Sequence, residues 1–117
     1  CRQLDDELGG EFGLVKAASM ERREGGDYDF NEPLLEDLLG TPGFTDQVVV
    51  ALLFSSPGRH AGEGGDITKI CERSERIHDG LNVLFAELPS TDSGFLEILS
   101  LRLHDALSVR PVTDDLK

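Results

Sequence analysis

Arg59 and His60 are adjacent, and between them they carry the side chains that proton and metal chemistry needs. They close the run Ser56-Pro57-Gly58-Arg59-His60. An imidazole titrates near neutral pH, so it can take up a proton or present a lone pair to a metal. A guanidinium beside it holds carboxylates through paired N–H groups, although a structural ion pair would use the same residue type. Glu21 is the carboxylate candidate, able to share the role of base or of metal ligand with His60. Gly58 supplies backbone freedom and room for close approach. Asp66, just beyond, reads as the cap of a helix.

Two features of the surrounding sequence position these residues. Residues 48–54, Val-Val-Val-Ala-Leu-Leu-Phe, form an unbroken apolar run that reads as a parallel strand buried on both faces and central in its sheet. The Pro-Gly pair after it ends the strand, so Arg59 and His60 leave its carboxyl end, where open α/β sheets hold ligands. Glu21 follows a second predicted strand, residues 11–19, and the two side chains are expected to open on one cleft.

The remaining elements alternate. Leu4 and Leu8 suggest the end of an amphipathic helix. Asn31 and Pro33 open a helix that carries Leu34, Leu35, Leu38 and Leu39. Ile67, Ile70, Cys71 and Ile77 mark the buried face of the next one. Residues 82–86 read as a strand and residues 93–108 as a closing helix. The order predicts an α/β fold: a parallel sheet with helices on both faces, over residues 1–110, and a flexible tail over residues 111–117.

The chain has 117 residues and a formal charge of -12, which excludes a nucleic-acid partner, since phosphate binding wants a basic face. No apolar run approaches the ~20 residues of a membrane span. Cys1 and Cys71 make no metal-binding spacing and no disulfide framework, and Cys71 reads as a helix core residue. His78 and His104 sit in helices without partners at ligand spacing. The chain opens without methionine in polar, helix-like sequence, which suggests a processed or incomplete form of a longer protein.

The segment from Val48 to Asp66-Ile67, with its Pro-Gly-Arg-His loop, resembles the signature of the small sirohydrochlorin chelatases. Ala18-Ser19-Met20-Glu21 is similar to that family's Ala-His-Met-Glu segment, and Glu32-Pro33-Leu34-Leu35 to its Glu-Pro-Ser-Ile helix start. The resemblance implies a flavodoxin-like layering and insertion of Fe2+ or Co2+ into a tetrapyrrole of siroheme or cobalamin synthesis, a lyase reaction without ATP. It implies His60 and Glu21 as catalytic and metal-binding groups, and Arg59 and Gly58 as substrate-binding groups. The metal is substrate, and no cofactor is permanently bound. Cytoplasm or plastid stroma would be the compartment. The family's first strand ends in His-Gly-Ser-Arg, which has no counterpart here, and Ser19 stands where many members carry histidine. Residues 24–31 look like an insertion, and Gly64-Gly65 lengthens the loop after His60. A sheet lacking a first strand would leave an apolar face or an unpaired edge, so a homo-oligomer or a larger complex is expected. The alternative is a catalytically inactive chelatase-fold protein serving as a structural or interaction subunit.

Overall fold

The computed structural model describes residues 2–108; the predicted tail, residues 111–117, lies outside them. Helix α1 is Arg2–Glu7, and none of its residues is buried. A 3-10 helix spans Gly26–Asn31. Then follow α2, Leu35–Leu38; β1, Gln47–Val50; α3, Asp66–Ile77; β2, Asn82–Phe85; a 3-10 turn at Pro89–Thr91; and α4, Ser93–Ser108. The layout is α/β with a two-stranded parallel sheet, β1 pairing β2 in the register Val48↔Val83. A parallel pair needs a crossover, and α3 supplies it.

β1 is shorter than the apolar run that contains it. Its ladder ends where Ala86 donates to the carbonyl of Val50. Beyond it, among the described residues, residues 51–54 add no further ladder pairs. Residues 11–19 form no strand either. Their regular structure is a single bridge, Ser19 to Leu34, because among the described residues no strand lies beside them. That bridge also shortens α2. Ser19 donates to Pro33 O at 3.0 Å and accepts from Leu35 N at 2.8 Å, which keeps residues 33 and 34 extended and delays the helix.

The core is small: Leu39, Phe44, Val48, Ile67, Cys71 and Leu81, with Met20, Val50 and Val83 packed on it. α3 buries Ile67, Cys71 and Ser74, an i, i+4, i+7 stripe. Ile77, predicted on that stripe, lies off it and is exposed.

Among the described residues one face of the sheet carries the core contacts: Val48 is buried and Val50 and Val83 are half-buried on the core, although Phe85 on the same face is 41% exposed, while Gln47, Val49, Ala51, Asn82, Leu84 and Ala86 on the other face are exposed. The expectation of helices on both faces therefore holds for the α3 side alone. The two edges also differ. Val83 N–H donates to Glu75 Oε1 at 2.7 Å, so a carboxylate from α3 blocks the outer edge of β2. Among the described residues no strand pairs along the outer edge of β1. The radius of gyration, 19.1 Å, exceeds the ~13 Å of a compact chain of this length, in keeping with elements that lack a packing partner. No helix among the described residues is long and apolar enough to cross a membrane.

Candidate functional site

The loop from β1 to α3 is organised by its own backbone. Gly58 N–H donates to Ala61 O at 2.8 Å, and Gly65 N–H to Gly62 O at 3.1 Å. The first two amides of α3 reach back as well: Asp66 N donates to Arg59 O and Ile67 N to His60 O, each at 3.2 Å. Thr68 Oγ1 donates to Gly62 O at 2.8 Å. Ala61 is buried at the centre of these bonds.

His60 is held by this frame. Its Nδ1 lies 2.8 Å from Asp66 Oδ2. A carboxylate can only accept, so Nδ1 carries the proton and the Nε2 lone pair is left for a proton or a metal. Phe54, from the end of the apolar run, lies with its ring centroid 6.3 Å from that of His60. Asp66 also gathers two cations: Arg59 Nε at 3.7 Å and Lys69 Nζ at 3.9 Å. The Arg59 side chain is 86% exposed, so its guanidinium remains accessible to an anionic ligand.

Asp66 thus has a part the sequence did not disclose. The cap position of α3 is Gly65, with no side-chain cap bond, and Asp66 is the first helical residue. Its carboxylate serves the imidazole six residues back rather than the helix amides. A carboxylate opening a helix just after a loop histidine was the available signal. Gly58 also differs from expectation: a Cβ there would meet nothing within 4 Å. The glycine that close approach demands is Gly65, where a Cβ would lie 3.0 Å from His60 O and 3.1 Å from Gly62 O.

Glu21 lines a cavity of about 390 Å³ with Arg22, Arg23, Tyr28, Phe30 and Asn31, and His60 is not part of that lining. Arg22 is held there by Asp29 and by Glu32 at 3.0 Å, and Arg23 stacks 5.9 Å above the Tyr28 ring. Among the described residues no group of three His, Cys, Asp or Glu side chains is placed to hold a metal ion. His78 packs against Gly40, where a Cβ would come within 2.5 Å of its ring, and His104 is exposed on α4.

A positioned imidazole with an open ring nitrogen, an accessible guanidinium and a carboxylate behind them can accept a proton next to an anionic ligand. No family model, no curated protein and no solved structure matches the chain.

Proposed function

We propose that the chain is a sirohydrochlorin chelatase-like protein, with His60 as the working base and metal-presenting group. The observation that carries this is the 2.8 Å contact between His60 Nδ1 and Asp66, at the exit of the apolar run that ends in Phe54. Inserting a divalent ion into a free-base tetrapyrrole releases two pyrrole protons and changes no oxidation state. His60 Nε2 first presents the metal and, once the metal has passed to the pyrrole nitrogens, its freed lone pair accepts a released proton and hands it to water, while Asp66 fixes the ring and balances the imidazolium. Arg59 pairs with carboxylates on the rim of the substrate, a task suited to an exposed guanidinium. Fe2+ or Co2+ enters as substrate, and its remaining ligands come from water and the pyrrole nitrogens. Glu21 is proposed as a second carboxylate. The proposed compartment is cytoplasm or plastid stroma.

That Glu21 lines a cavity whose lining does not include His60 favours a second reading, a chelatase-fold subunit without catalysis. One experiment divides the two. Insertion of Fe2+ and of Co2+ into sirohydrochlorin is followed by absorbance with the parent chain and with His60→Ala. Insertion by the parent that collapses in the variant is expected. A folded parent chain that inserts neither metal, or a variant as fast as its parent, overturns the catalytic assignment.

A further inference from the structure

Among the described residues two apolar surfaces lack a partner, and they match. The first is the open sheet face, where Val49 and Leu84 are each 44% exposed and flanked by exposed Ala51 and Ala86. The second is α4. Among the described residues it packs on the Pro89–Thr91 turn and on no other element. Leu96, Leu99, Leu103 and Leu107 are between 50% and 74% exposed, and with Phe95 and Ala106 they share one side of the helix by their spacing; Ile98 and Leu101, 55% and 63% exposed, lie outside that side.

The surfaces agree in size and charge. Neighbouring strands lie ~4.8 Å apart, so a two-stranded face is about one helix diameter, ~10 Å, across. One helix therefore covers it. Gln47 and Asn82, at the start of the open face, are neutral; on α4 the Arg102 and Asp105 charges lie 3.9 Å apart as a local pair, and Glu97 lies by its spacing on the side of the helix away from Leu99 and Leu103. The net charge of -12 is thus not focused on either surface.

In its own chain α4 does not reach the sheet. Ser90 N–H is bonded to Ser55 O at 2.8 Å, which ties the turn before α4 to the segment after β1. Gly94 N–H then bonds to Asp92 Oδ1 at 2.7 Å and fixes the first turn of the helix. We propose that a second copy of this chain covers the open sheet face with its α4, and receives α4 of the first copy on its own sheet. Each chain brings one uncovered helix and one uncovered face, so a two-fold exchange satisfies both and closes. Six apolar α4 side chains at roughly 80 Å² each give about 1,000 Å² from the two helices. The facing sheet surfaces bring the total within the ~1,200–2,000 Å² of a specific interface. The exchange is independent of any activity at His60.

Light scattering on the full chain at micromolar concentration is expected to give twice the chain mass. Leu99→Glu with Leu103→Glu is expected to halve that mass while helical circular dichroism is kept, since neither side chain is buried within its own chain. The exchange itself is read with two single variants in a Cys1→Ser background, Leu84→Cys and a mass-tagged Leu99→Cys, mixed, unfolded, refolded together and oxidised with oxidised glutathione. Cys71 is buried and does not interfere. A disulfide joining a tagged to an untagged chain supports the exchange. A monomer, a dimer that survives the two glutamates, or a Leu84→Cys/Leu99→Cys double variant that bridges within one chain overturns it.

Discussion

Replacing Cys71 by alanine should reverse its own effect on stability as the pH rises. Cys71 is 1% exposed in the middle of α3. Burial, and then the charge of Glu75, push its thiol from 9.0 up to about 11. Below pH 9 the thiol is protonated in both folded and unfolded chains, and its packing contributes in full. Between about 9 and about 11 the unfolded chain ionises first, so stability drains away as pH rises through that window. Two pH units correspond to ~2–3 kcal/mol at ~1.4 kcal/mol per unit. At neutral pH, Cys71→Ala removes a sulfur from a packed site and should cost ~1 kcal/mol. By pH 11 the alanine chain should be the more stable of the two by ~1–2 kcal/mol. Urea unfolding followed by far-ultraviolet circular dichroism, for both chains at half-unit steps from pH 7 to 11, measures the difference. Tyrosine and lysine titrations are common to both chains and cancel. A stability difference that stays constant across the series would refute the reasoning.

Three further outcomes can be checked. Asp66→Ala should slow metal insertion ~10–100-fold, with partial rescue by Asp66→Asn, which can still accept from Nδ1; chemical unfolding should register less than ~1 kcal/mol, because both side chains of the pair are more than a third exposed. Gly65→Ala should cost ~1–3 kcal/mol, since its Cβ meets two backbone carbonyl oxygens, whereas Gly58→Ala should leave the unfolding midpoint unchanged. Glu75→Ala should cost ~1–2 kcal/mol by leaving the Val83 N–H without its acceptor, and Glu75→Gln much less, both read from urea midpoints.

The parts of this protein that depend on neighbours in sequence were legible before any coordinates. The spacing of Ile67 and Cys71 marks a helix face, the Val-rich run marks a strand, and Pro57-Gly58 ends the apolar segment, because helix and strand periodicity are local properties. The same local signals placed Arg59 and His60 in a loop ahead of α3 and gave residues 82–85 and 93–108 their conformations.

What depends on a partner distant in sequence was decided by the tertiary structure. Residues 11–19 and 51–54 have strand-like composition, yet a strand exists only while another chain segment completes its hydrogen bonds, and composition does not record which segments meet. The shape of the site follows the same logic. His60 and Asp66 are six positions apart, and they touch only because the amides of Asp66 and Ile67 fold back onto the carbonyls of Arg59 and His60. Residue types alone gave the chemistry available to the loop. The folded backbone chose Asp66 over Glu21 as the carboxylate beside the imidazole, because a hydrogen bond is set by separation in space, which the order of residues does not contain.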